Sequence, residues 1–295
     1  MKYTENTKAT QSGMTLIELS VVLLVMVGLA GVAVPYVAGM ADKAHDSTTG
    51  STISQLNQSI ASFRGNHNAL PDRLETLVDA SGALYSKLMS QENYAGATFG
   101  NPVALGSVGL VSLKKAGLTS VLNNLSTPAQ GNATFGSTDG TVVDVDTTVS
   151  VAPVAPLAWS QTPATTGVAE HLAYALGGNK DQYSDNEIDT THAVGKPGCY
   201  TYIGLGIGDN NEMIGSSMQS APILFMPNGD MNPEKKYARF IAIMKVHTKL
   251  AYDGTCPDTE QPASFVGTVA AMDFKALIGS ASSQQWATSS ARQAN

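Results

Sequence analysis

The chain has 295 residues, of which 43% are hydrophobic and only 14% charged, and its formal net charge is -7. That length suits one large domain or two small ones. The acidic balance argues against a nucleic-acid binder, which needs a clustered basic face; Lys235 and Lys236 with Arg239 form too small a group to supply one.

Residues 1–13 are polar. From Met14 to Ala41 the sequence holds one ionisable side chain, Glu18, and 19–41 is uncharged. As a helix this run can cross a ~30 Å hydrocarbon core. It is apolar all round over 21–34, where a core helix would keep a polar face. Lys2 and Lys8 precede it and Lys43 follows, so the positive-inside rule places the N-terminus in the cytoplasm. Beyond it, Ile53, Leu56, Ile60 and Phe63 recur at helical spacing and predict one apolar stripe, with Gly65 as the stop.

Residues 68–71, Asn-Ala-Leu-Pro, read as a turn or an extended piece. Asp72 with Glu75 reads as a capping box that opens a short helix, with Leu74, Leu77 and Val78 inward. Residues 95–170 are poor in charge and form an elaborated region. Within it 141–151 alternates, with Val143, Val145, Thr147, Val149 and Val151 on one face, and predicts a half-exposed strand. The C-terminal third predicts an antiparallel sheet from strands at 199–207, 221–226, 237–246 and 265–272, with turn residues at 208–211 and 227–230.

Catalytic signatures are absent. His45, His67, His171, His192 and His247 lack metal-ligand spacing. Gly204, Gly206 and Gly208 lack the third-glycine spacing and following helix of a dinucleotide site. No P-loop or nucleophile elbow occurs. The expectation is that the chain is not an enzyme. Asp181, Asp185, Glu187 and Asp189 crowd carboxylates into one segment and are candidate calcium ligands, without the spacing and glycine of an EF-hand. A solvated loop is the commoner meaning of such a cluster. Asp209, Asn210, Asn211 and Glu212 form a weaker second candidate. No other cofactor is indicated. The two cysteines, Cys199 and Cys256, would pair in an exported protein and stay free thiols in the cytosol.

Residues 13–29, GMTLIELSVVLLVMVGL, decide between those compartments. The run resembles the prepilin signature of type IV pilins and type II secretion pseudopilins. The resemblance implies that a prepilin peptidase cuts between Gly13 and Met14 and methylates Met14. Glu18 is then the fifth residue of the mature chain, the position of the family's glutamate. Its partner would be the Met14 amine of a neighbouring subunit. Pro35 falls where many members carry a helix-kinking proline. The family usually begins with Phe after cleavage, and Met14 points to the type IVb branch or a minor pilin. With the bulk of the chain outside the membrane, Cys199 and Cys256 are expected to pair, as in many type IV pilins.

The expected organisation is a leader at 1–13, a membrane and filament-core helix at 14–41, its continuation at 42–64 and a globular domain at 65–295. The expected fold is α+β and pilin-like, a long N-terminal helix with a transmembrane first half, packed on a C-terminal antiparallel sheet. The implied function is structural, as a subunit of a type IV pilus-like filament. Its partners are copies of itself or other pilin subunits, the prepilin peptidase and an inner-membrane assembly platform. Its location is the bacterial inner membrane before assembly and a periplasmic or cell-surface filament after it. A type II secretion pseudopilin is the alternative within the family. A single-span, membrane-anchored binding protein or enzyme is the alternative from another class.

Overall fold

The structure, a computed structural model, describes residues 16–89, 99, 101–126, 138–154, 199–223, 237, 239–250 and 256–270. The chain divides into two compact units, Met1–Ala44 and His45–Asn295. Helix α1, Leu16–His67, runs through both, and its side chains are described at 16–31, 48 and 50–67. It passes Gly65, the predicted stop, and ends at His67. Asn68 has φ 51° and its N–H closes onto the Arg64 carbonyl at 2.8 Å. Asparagine tolerates this left-handed cap better than most residues, and Arg64 and His67 in the last turn suit the negative end of the helix.

In the second unit, Ile53, Leu56, Ile60 and Phe63 are all buried in the main core. There they join Leu74, Val121, Val149, Ile203 and Met244. The Phe63 ring also stacks on His67, with centroids 4.2 Å apart. Phe63→Ala is expected to cost ~3–5 kcal/mol, the usual result of emptying a buried phenyl site. Urea unfolding measures it, and a loss below ~1 kcal/mol would show that this stripe is not the seam of the core.

The strands follow in the order β1 Leu74–Glu75, β2 Val103–Ala104, β3 Ser120–Ser126, β4 Asp139–Asp144, β5 Ser150–Pro153, β6 Tyr200–Gly206, β7 Phe240–His247 and β8 Ser264–Ala270. Two short helices, α2 Ser86–Met89 and α3 Ser107–Lys115, lie between β1 and β3. The sheet runs β2-β5-β6-β1-β3-β4, with β7 beside β6 and β8 beside β7. β1 pairs parallel to β3 and antiparallel to β6; the other pairings are antiparallel. A parallel neighbour needs a crossover, and the stretch with α2 and α3 provides it. Gly117 ends α3 with φ 87°, where a Cβ would lie 2.5 Å from Ala69 Cα. The crossover therefore sits close against the exit of α1.

The expected fold class is overturned. The sheet is mixed, not antiparallel, and it is not confined to the C-terminal part, because it takes strands from Leu74 to Ala270. Among the described residues no helix is long and apolar enough to cross a membrane.

The physical reason for the mixed sheet begins at Asp72. Its carboxylate does not cap a helix. Oδ1 accepts the Ser120 N–H at 3.1 Å, and the carboxylate also takes the Thr119 N–H and hydroxyl. This fixes the next residues alongside β3, so Leu74 and Glu75 extend as a strand. Leu74, Leu77 and Val78 do face inward.

The predicted strand over 141–151 is two strands. The chain turns after Asp144, where the Thr147 hydroxyl and N–H both donate to the Asp144 carbonyl, at 2.9 and 3.1 Å. Val145, Val149 and Val151 are buried as the alternation predicted, while Thr147 is exposed on the turn. Residues 221–223 are not strand, and 224–226 lie outside the described residues.

Candidate functional site

Of the residues singled out from the sequence, Gly13 and Met14 lie outside the described residues, as do Asp181, Asp185, Glu187 and Asp189. Pro35 lies within α1, and its side chain is not described. Among the described residues no group of three or more His, Cys, Asp or Glu could hold a metal ion. The second candidate loop has structural partners instead. Asn211 is buried, and its side-chain oxygen accepts the Met213 N–H at 2.9 Å. Glu212 accepts the Asp72 N–H at 3.3 Å, and Asp209 pairs with Arg239.

Arg239 does not form a basic surface with its neighbours in sequence. It is 1% exposed, and it also donates to the Ala221 carbonyl at 2.8 Å. Cys199 and Cys256 form a disulfide with their Cα atoms 5.4 Å apart. It joins the residue before β6 to the connection between β7 and β8.

The first part of α1 is the one large apolar surface among the described residues. From Leu16, 86% exposed, to Leu29, 67% exposed, every leucine, isoleucine, valine and methionine stands open. Beyond this stretch, among the described residues, the exposed large hydrophobic side chains are only Val103, Val142 and Ile223. Glu18 sits in the first helical turn, itself exposed, amid these side chains. A carboxylate there suits the positive end of the helix dipole. Burying one leucine or valine contributes about 1.5–3 kcal/mol. A surface of this extent therefore carries well over ~10 kcal/mol of potential burial, and patches of that kind mark interaction sites.

A second constellation was not anticipated from the sequence. Glu75 is fully buried, and its two carboxylate oxygens accept from the Thr138 and Tyr237 hydroxyls. Burial raises its pKa above the usual carboxylate range, against the lowering effects of Thr138, Tyr237 and the Arg239 guanidinium. Burial and the neighbouring acid push the Tyr237 phenol well up, so it remains a neutral donor.

Space for this cluster comes from the glycines of β6 and its end. A Cβ at Gly206 would lie 1.7 Å from Tyr237 Oη, and one at Gly208 would lie 1.7 Å from Glu75 Oε1. At Gly204 it would lie 2.4 Å from the Phe99 ring. The alternating glycines thus form a trench along one face of a strand, filled by a phenyl ring, a phenol and a carboxyl group. The spacing of Gly204, Gly206 and Gly208 was the available signal, since alternate residues share a strand face. With Glu75 fully buried and held on both oxygens, the cluster reads as a structural lock.

Comparison with known proteins adds no relative: no family model matches the chain, and neither a curated protein nor a solved structure does so.

Proposed function

We propose that this chain is a structural subunit of a type IV pilus-like filament, cut between Gly13 and Met14 and assembled through its N-terminal apolar segment. The observation that carries the reading is the open apolar surface from Leu16 to Leu29, with one carboxylate, Glu18, in its first turn. In water such a surface is costly; in a membrane before assembly, and among copies of itself afterwards, it is satisfied. The sequence GMTLIEL supplies the processing signal at its edge. The Cys199–Cys256 disulfide suits an oxidising compartment outside the cytoplasm. Nothing in this reading asks for catalysis. The proposed location is the inner membrane, N-terminus inward, followed by the filament.

The test is the mass of the protein extracted from membranes of peptidase-positive cells. The expected mature chain begins at methylated Met14, and a bulky charged substitution at Gly13 blocks its formation. An intact N-terminus at Met1 under those conditions would reject the proposal.

A further inference from the structure

The segment Cys256–Ala263 forms a strap over the edge where β7, α3 and the start of β8 meet. One end is held covalently through Cys256 to Cys199. The other is held by Ala263, which is buried and whose N–H donates to the Ser112 carbonyl on α3 at 2.8 Å. Between these ends, Lys115 Nζ donates to the Glu260 carbonyl at 2.9 Å and to its Oε2 at 3.2 Å. The Gln261 N–H donates to His247 Nδ1 at 3.2 Å.

His247 is the last residue of β7 and is shielded from solvent. Its backbone N–H donates to Ser112 Oγ at 3.0 Å, and its ring lies 5.1 Å from that of Tyr200 on β6. A ring nitrogen that accepts a hydrogen bond carries no proton, so the bond to Gln261 exists only while the imidazole is neutral and protonated at Nε2. A second proton must go to Nδ1. That would set a ring N–H against the Gln261 N–H, donor against donor.

The charged groups around the ring divide. Burial acts most strongly and disfavours the imidazolium, and Lys115 on α3 acts the same way. Glu260 on the strap and the Lys249 backbone just beyond β7 favour it. Lys245 on β7 stands 4.3 Å over the Tyr200 ring, on the ring's own account a neighbour of His247.

We infer that the strap Cys256–Ala263 is an acid-released element, undocked when His247 takes a second proton while the disulfide and Ala263 keep both ends attached. The sheet pairing of β7 with β6 and β8 does not depend on the Gln261 bond, so the strap opens without the sheet. The inference stands apart from the filament proposal, because it uses only groups within the second unit.

Hydrogen exchange of the full chain in detergent micelles, at about pH 7 and about pH 5 and corrected for intrinsic rates, tests it. Protection of the Gln261 amide is expected to fall about tenfold at the lower pH, while that of Ala263 and of β7 holds. In His247→Asn the side-chain oxygen can accept from Gln261 and does not titrate, so strap protection should be the same at both pH values. Equal protection of the strap in the natural chain at both pH values overturns the inference, as does an equal acid loss in the Asn variant. If that variant does not fold, the natural chain decides. Loss of strap protection must then share its midpoint with the imidazole resonance of His247, and a separation above about one pH unit rejects the link.

Discussion

Gly208→Ala is expected to destabilise the sheet domain by about 3 kcal/mol, the upper part of the usual range for overpacking. Gly208 does not have a positive φ, so the penalty comes from space. The added methyl carbon would lie 1.7 Å from Glu75 Oε1 and 2.5 Å from its Cδ. A flexible carboxyl group could ordinarily swing aside. Glu75 is held on both oxygens by Thr138 and Tyr237, and it is fully buried. Moving it strands two hydroxyl donors. The double variant Gly208→Ala with Glu75→Ala should therefore lose less than the sum of the two single changes, because removing the carboxyl group frees the space. Contacting residues typically show coupling of about 0.5–3 kcal/mol in such a cycle. Strict additivity in urea unfolding would show that the carboxyl group does not occupy the place assigned to it.

The same acid has a pH signature. Its folded pKa is raised, so the folded state holds the proton more tightly than the unfolded chain. Its contribution is complete below the unfolded value, about 4.3, and is lost as pH rises through the folded value. Glu75→Gln keeps the shape and removes the titration, and should remove that decline. His247 acts in the opposite sense: its folded pKa is lowered. Its neutral form is fully accommodated above the unfolded value near 6.5, and stability falls as pH drops towards the folded value. The two slopes oppose each other in mildly acidic solution, so stability profiles of Glu75→Gln and His247→Asn should tilt in opposite directions from that of the natural chain.

The parts of this fold that depend on repetition were legible in the sequence. Ile53, Leu56, Ile60 and Phe63 declare a helical face by spacing alone, and they are the face that enters the core. β6, β7 and β8 lie within or close to the apolar runs read as strands at 199–207, 237–246 and 265–272. What spacing did not reveal depends on partners distant in the chain. Asp72 and Glu75 have the local pattern of a helix start. Thr119 and Ser120 claim the first carboxylate, and Thr138 and Tyr237 the second. A two-residue strand such as β1 has no periodicity to detect. The alternation at 141–151 continues through a turn because Val145 remains buried beside it. Arg239 resembled part of a surface cluster until its partners, Asp209 and the Ala221 carbonyl, were known. Of the candidate assembly site, the apolar run and its lone acid were visible from composition. The glycine trench was visible only as a spacing without a meaning, until the groups filling it, Phe99, Tyr237 and Glu75, came from three other parts of the chain.

Glu18→Ala is expected to leave membrane insertion and cleavage intact and to abolish filament growth. Insertion depends on the apolar run that follows, and removing a charge at its edge favours partition into lipid. Processing depends mainly on Gly13 and its immediate surroundings, so the variant should still mature. Assembly differs because the proposed filament core brings the α-amine of Met14 among apolar side chains such as Leu16, Ile17 and Leu19, all open in the single subunit. Water is scarce there, and a cation without a counter-charge is costly. Glu18, in the first turn of α1, is the only carboxylate within the apolar run 14–41. Removing one partner of a buried ion pair typically costs ~3–5 kcal/mol, and in a filament that cost recurs with every subunit added. A loss of this size at each step lowers the affinity for a growing tip by more than about a hundredfold. The comparison to make is between sheared-filament and membrane fractions of the natural chain and the variant. The variant should accumulate in the membrane as processed monomer. If the chain is a minor subunit, the same loss should appear as its absence from filaments built of another protein. A normal share of the variant in the filament fraction would show that the carboxylate is dispensable, and the electrostatic account of how these helices find their register would fall with it.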